Sequence, residues 1–257
     1  MSRYQAMFRR AGNGGVFGAF VMLGDPDLET CAAILDRLVA GGADMIEVGI
    51  PFSDPIADGP VIQAAAVRAL TNGATPAHCF ALLKAFRARH PAVPVGILTY
   101  ANLVLARGLD DFYARAAEAG VDSVLVADVP VLEAGPYAAA ARAHGVAPVL
   151  IAAANTPPQR LREIARLGGG YTYCVARAGV TGTDREARFD HDVMLGVLRA
   201  AGAPPPVFGF GISQPDQVRA ALAAGAAGAI SGSAIVGRVA RGEDVTGFVR
   251  EMKAATL

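Results

Sequence analysis

Lysine is nearly missing from this chain: its 257 residues include only Lys84 and Lys253. Both fall in segments of helical period, away from the ends of apolar strands, which argues against an aldolase that works through a Schiff base. Histidine is scarce too, and His78, His90, His144 and His191 fall in helices or at helix ends. That pattern excludes a His-rich metal site. Three cysteines, Cys31, Cys79 and Cys174, lie far apart with no CxxC spacing, so neither a disulfide framework nor a zinc knuckle is expected. Charge of one sign is also lacking, with 23 basic residues against 23 acidic. A nucleic-acid surface or an anionic-membrane footprint is therefore not expected, and any anion must be held locally. No apolar run approaches the roughly 18 residues of a membrane span. The opening MSRYQAMFRRAGNGG has no apolar core before a cleavage site, so no signal peptide is expected. The expected location is cytoplasmic.

What the chain has in quantity is apolar residue, 53% of the total, arranged as short runs between longer amphipathic stretches. Strands are expected at Val16–Leu23, Met45–Ile50, Val93–Tyr100, Ser123–Val129, Ala147–Ala153, Tyr171–Arg177, Pro206–Ile212 and Gly228–Ser231. Between them, segments such as Asp27–Ala43, Gly108–Gly120 and Gln214–Ala226 repeat apolar residues at three- and four-residue steps. Gly42, Gly120, Gly145, Gly168, Gly202 and Gly225 read as left-handed helix stops. Nearly continuous apolar strands, each followed by a helix, describe a parallel sheet covered by helices. Eight such units need about 250 residues when closed as a barrel. A doubly wound open sheet would carry a glycine-rich turn after its first strand, where this chain has LGDPDLE. The expected fold is α/β, a single (β/α)8 TIM barrel, with residues 1–257 as one domain.

Active sites of such barrels lie at the C-terminal ends of the strands. Alternation along MIEVGI turns Ile46, Val48 and Ile50 towards the helices and Met45, Glu47 and Gly49 into the barrel. An interior carboxylate is costly unless it is paired or used. Glu47 is thus either a satisfied structural group or a general acid/base whose pKa burial raises. The following loop, PFSDPIADGP, presents Asp54 and Asp58 on a proline-stiffened backbone. They fit a second catalytic carboxylate, and equally the turn chemistry of Asp-Pro and Asp-Gly. Tyr171 and Tyr173 share one strand face, as core or as phenols lining a site. The stretch Ala178–Phe189 after them suits a ligand-covering lid or a plain solvated loop. FGFGIS and AISGSAIV end the last two strands in glycines, the second opening a helix at Ser233. Such turns let backbone N–H groups approach an anion. Gly182, Gly211, Gly232 and Ser233 are the expected phosphate cradle, the alternative being tight turns and nothing more. With no lysine at a strand end and no metal cluster, acid/base catalysis by carboxylates remains.

Taken together, LGDPDLE, IEVGIPFSDPIADGPVIQAA, LTYANLV, GVDSVLVADVP, RAGVTGTD and GFGISQPDQV with GAAGAISGSAIV resemble the α subunit of tryptophan synthase, in order and over nearly the whole chain. The resemblance implies a lyase that cleaves indole-3-glycerol phosphate into indole and glyceraldehyde 3-phosphate. It implies that Glu47 and Asp58 are catalytic with Tyr173 lining the reacting centre, and that Phe20, Tyr100 and Leu125 surround the indole ring. Phosphate would rest on Gly182, Gly211, Gly232 and Ser233, and Asp54 would pair with Thr181 on closure. No metal and no cofactor of this chain's own are implied. Pyridoxal phosphate belongs to the β subunit, the implied partner in an αββα heterotetramer, which the loops at Pro51–Asp54, Asn102 and Pro130 would face. Met22, Ala152–Ala153 and Ala176 depart from the family pattern without removing a catalytic or phosphate group. Three rivals remain: a standalone lyase with the same residues, a non-catalytic barrel that activates a partner, and another phosphate-binding barrel such as an indole-glycerol-phosphate synthase or a phosphoribosyl isomerase.

Overall fold

The apolar runs of the chain become strands of one closed parallel sheet. A computed structural model describes residues 1–175 and 191–257. Helix α1 (Arg3–Ala11) precedes β1 (Val16–Met22), followed by α2 (Leu28–Ala40), β2 (Met45–Gly49), α3 (Pro60–Thr71) and α4 (Pro76–Arg89). Next come β3 (Val95–Thr99), α5 (Ala101–Leu105), α6 (Leu109–Glu118), β4 (Ser123–Val126) and α7 (Ala134–Ala143). The fifth barrel position is split into β5 (Ala147–Pro148) and β6 (Leu150–Ala152), after which α8 (Pro158–Leu167), β7 (Thr172–Val175) and α9 (Asp192–Ala200) follow. Then β8 (Pro206–Gly209), α10 (Pro215–Ala223), β9 (Gly228–Ser231), α11 (Ser233–Arg241) and α12 (Val245–Ala254) complete the order. The strands run β5-β4-β3-β2-β1-β9-β8-β7-β6, all paired parallel. Because β5 holds β4 and β6 holds β7, the sheet's two ends are consecutive pieces of one strand and the barrel closes.

Strand alternation divides the core in two. Ile46, Val48 and Ile50 join the layer between sheet and helices, whereas Met45, Phe20, Leu98, Leu125, Tyr171 and Tyr173 fill the barrel interior. Helix α1 closes the bottom by inserting Tyr4 and Met7 into that interior. Helix α3 joins the interior from the other end through Ile62, Ala65, Ala66 and Ala69. Most helix stops are left-handed as expected, with φ of 98° at Gly42, 77° at Gly120 and 95° at Gly225. Gly168 differs: it is extended at φ −71°, ψ 162°, and a side chain there would run into the Ile164 carbonyl.

Polar groups at the N-terminal ends of the strands are tied across the sheet. Asp44 accepts from Phe17 N–H and from Lys253 Nζ, each at 2.8 Å. Asp122 accepts from Val95 N–H at 2.8 Å and pairs with Arg3 at 2.9 Å and Arg87 at 2.6 Å. Lys253 therefore serves this structural network, and Lys84 sits within α4. Among the described residues, no helix is long and apolar enough to cross a membrane.

Candidate active site

At the opposite, C-terminal end of the barrel an apolar pocket of about 440 Å³, mouth included, is lined by Phe20, Leu98, Tyr173, Phe210 and Ile230, with Glu47 and Asp58 as its acids. Its size is that of a small-molecule site. Glu47 stands in the middle of β2 on the inward face and is 2% exposed. Its carboxylate accepts from the Tyr171 hydroxyl at 2.6 Å. Burial pushes the Glu47 carboxyl up to about 7, against the opposing pull of that hydrogen bond. An acid so placed exchanges protons readily at neutral pH.

Asp58 comes at the end of the proline-rich loop, just before α3. A turn bond from its N–H to the Pro55 carbonyl and a 2.7 Å bond from Gln63 Nε2 to its own carbonyl fix the backbone there. Its carboxylate is held by the Tyr100 hydroxyl, and burial raises it to about 6 despite that bond. The Tyr100 oxygen also accepts from Ala57 N–H at 3.2 Å, so one phenol grips both the acid and the loop carrying it. Asp54 on the same loop is exposed.

Tyr173 is buried beside Glu47, edge-on to Phe210 with ring centroids 5.7 Å apart. Its phenol is kept well above its ordinary range by burial and then by the nearby Glu47 and Asp58 charges. Burial thus holds it as a neutral phenol. Gly209 makes room for it, because a Cβ at Gly209 would run into the Tyr173 ring and hydroxyl.

The far wall of the pocket offers backbone. Gly211, Ile212, Gly232 and Ser233 line it, and none of their N–H groups donates to another described residue. The two adjacent helix starts differ. At α10, the Gln217 side chain takes up Ser213 and Gln214 N–H at 2.7 and 2.9 Å. At α11, Gly232 supplies no side-chain cap. An uncapped helix start next to glycine turns leaves its amide dipoles free for an anion.

Of the residues expected around the ring, Phe20 lines the pocket, Leu125 is buried in the same interior cluster, and Tyr100 sits behind Asp58 with its ring against Phe52. Leu98, Ile62, Phe210 and Ile230 complete the apolar lining; the inward register of Leu98 and Ile230 follows from strand alternation, whereas Ile62 comes from α3 and Phe210 from the left-handed turn after β8. Tyr171 was readable as sharing a face with Tyr173, though not as the partner of Glu47. Thr181 and Gly182, like Ala176, lie outside the described residues. Among the described residues, no three His, Cys, Asp or Glu side chains are grouped to hold a metal ion.

A barrel with two buried carboxylates facing an amide-lined wall fits what known proteins add. The family model for the tryptophan synthase alpha chain matches residues 8–256. The chain belongs to that family. The tryptophan synthase alpha chain of Shewanella amazonensis is 53% identical to it over the full length of both chains. That of Cronobacter sakazakii is 53% identical over 100% of this chain and 99% of its own. Among solved structures, Mycobacterium tuberculosis tryptophan synthase superposes with a TM-score of 0.89 at 29% identity, covering 99% of this chain and 98% of that one. Tryptophan synthase subunit alpha from Legionella pneumophila superposes at 0.88 and 28% identity, over 100% and 98%. Family membership and the barrel are thus supported independently by sequence and by shape.

Proposed function

We propose that Glu47 and Asp58 carry the retro-aldol cleavage of indole-3-glycerol phosphate into indole and glyceraldehyde 3-phosphate, the lyase step of a tryptophan synthase alpha chain in tryptophan biosynthesis. The observation that carries this reading is the pairing of two buried, neutral-range carboxylates with an amide-lined wall across one apolar pocket. In its protonated form Glu47 delivers a proton to indole C3. Asp58, ionised, accepts the indole N–H and stabilises the positive charge that C3 protonation places on the ring. The bond from C3 to the glycerol chain then breaks, its electrons returning to the ring. The chain hydroxyl gives up its proton to Glu47 as the aldehyde forms, so the acid ends as it began. Tyr173 packs beside the reacting carbons. Phe20, Tyr100 and Leu125 bound the ring's side of the site, Tyr100 through its hold on Asp58.

Phosphate on Gly211, Gly232 and Ser233, joined by Gly182, would anchor the substrate away from the breaking bond and supply orientation. Asp54 and Thr181 are proposed to pair when the site closes. The chemistry needs no cofactor of this chain's own; pyridoxal phosphate belongs to the beta chain. That beta chain is the partner in an αββα assembly, and the exposed Ile56, Leu105 and Leu132, on the loop after β2, at the end of α5 and on the loop after β4, offer it an apolar rim. Residues 1–257 would work as one barrel unit in the cytoplasm.

The test is indole release from indole-3-glycerol phosphate by the purified chain, with Glu47→Gln alongside and a beta subunit added or withheld. Release that the beta subunit accelerates and Glu47→Gln abolishes is expected. Fast release indifferent to the beta subunit would mark a standalone lyase, and no release in either condition would remove the catalytic assignment.

A further inference from the structure

The turn after β8 passes through two successive left-handed residues, Phe210 at φ 61° and Gly211 at φ 85°. A residue with a Cβ keeps that conformation only where its surroundings impose it. The surroundings here are specific. The next peptide, Ile212–Ser213, is gripped at both of its polar atoms. Its carbonyl accepts from the Ser231 hydroxyl at 2.7 Å, in a fully buried bond. Its N–H donates to Gln217 Oε1, also at 2.7 Å. Ser231 is 0% exposed and follows Ile230 in β9. Alternation points Ile230 into the pocket and Ser231 to the helix side.

The grip has a consequence for the pocket. The Ile212 side chain is packed in the outer core, yet Ile212 lines the pocket, so what it presents there is backbone. Gly211 has only backbone to present. Ser231 is also bonded covalently to Gly232, the residue that opens α11. Its single hydrogen bond therefore fastens the turn after β8 to the helix start beside it, which are the two halves of the amide-lined wall.

We propose that Ser231 and Gln217 are positioning residues: they hold the Ile212–Ser213 peptide from the helix side and so preset the amides of Gly211, Ile212, Gly232 and Ser233 for the substrate's phosphate. This rests on the reading that phosphate binds at that wall, and it assigns the preorganisation of the wall to two side chains that never touch the ligand. A purely structural role would cost stability and leave ligand preference alone. A positioning role weakens phosphate-bearing ligands selectively.

The experiment compares glycerol 3-phosphate, which carries the phosphate, with indole, which lacks it. The chain contains no tryptophan, so bound indole can be followed by its own fluorescence and glycerol 3-phosphate by calorimetry. Loss of one preorganising hydrogen bond predicts that Ser231→Ala weakens glycerol 3-phosphate about five- to tenfold and raises KM for indole-3-glycerol phosphate to match. Indole affinity should stay within about twofold of the parent, with the loss falling on KM and not on kcat. Ser231→Cys, which retains a weak donor of similar size, should recover part of the affinity. Gln217→Met should reproduce the selective loss, and it carries the test should Ser231→Ala not fold. Folded variants that bind glycerol 3-phosphate like the parent, or that lose both ligands equally, would overturn the inference alone. A parent chain that binds no glycerol 3-phosphate would overturn the phosphate site itself.

Discussion

Asp122 and Asp58 are both largely buried aspartates beside strand ends, at opposite mouths of the barrel, and their neighbours differ. Asp122, below β4, is met by two guanidinium groups and a backbone N–H. Asp58, above β2, has the Tyr100 phenol as its side-chain partner, as Glu47 has Tyr171. A carboxylate tied to two guanidinium groups and a backbone N–H is committed to structure. One that meets only neutral donors in an apolar pocket is pushed towards neutrality and stays available for proton transfer. The residue type is shared between the two ends; the partners decide what it does.

Exchanging carboxylate for amide at each end should separate the two uses most strongly. Glu47→Gln is expected to lower turnover by about 10² to 10⁴-fold. It should also make the protein more stable at alkaline pH. The Glu47 carboxyl is raised from its ordinary 4.5 to about 7. Across that window the unfolded chain releases a proton that the folded chain keeps, so stability falls as pH rises and the full cost is present above about 7. Removing the charge should return roughly 1–3 kcal/mol at pH 8 and nothing below pH 4.5, read from denaturant midpoints. Asp122→Asn should do the reverse, costing about 3 kcal/mol by leaving Arg87 and Arg3 without their anion, while each folded molecule turns over normally. Equal losses of activity in both variants would erase the distinction between the two ends.

Gly209→Ala attacks the catalytic end through shape. The added methyl would occupy the space of the Tyr173 phenol, forcing the ring out of its place in the pocket. We expect a fall in kcat/KM of at least about tenfold, with far-UV circular dichroism preserved. A variant with parental kinetics would mean that the Tyr173 ring can move without harm.

The apolar runs make the barrel legible in the sequence, and the inward register of Glu47 follows from alternation alone. Other features depended on the third dimension. The expected strands Ser123–Val129 and Pro206–Ile212 stop early, at Val126 and Gly209, the second because Phe210 and Gly211 turn left-handed. The fifth strand is broken at Val149, next to Pro148, which has no N–H to give to a ladder. The pairing of Tyr171 with Glu47 spans 124 residues of sequence, and no local pattern reports it. The role of Gln217 in capping α10 depends on a rotamer that composition does not encode.

The two catalytic-end carboxylates can be told apart by pH. If ionised Asp58 and protonated Glu47 are both required, kcat/KM should be bell-shaped, falling below about 6 and above about 7. Asp58→Asn should leave residual activity without the acid limb. A limb that persists in that variant belongs to the substrate phosphate, whose second ionisation lies near 6, and the assignment to Asp58 would be withdrawn.

The smallest effect probes the boundary between the two ends. Thr99, the last residue of β3, stands between Leu98, which lines the pocket, and Tyr100, which holds Asp58. It is 0% exposed, and its hydroxyl finds no hydrogen-bond partner among the described residues. Alternation turns it to the helix side with Val95 and Ile97, out of the pocket. A buried hydroxyl with no partner loses its hydration for nothing in return. Thr99→Val, close in shape and without the hydroxyl, should therefore raise stability by up to about 1 kcal/mol and leave kcat/KM unchanged. If it lowers stability instead, the hydroxyl has an internal partner such as a buried water. If it lowers kcat/KM with stability intact, the layer outside the sheet reaches Asp58 through Tyr100, and the catalytic end extends one layer deeper than the pocket.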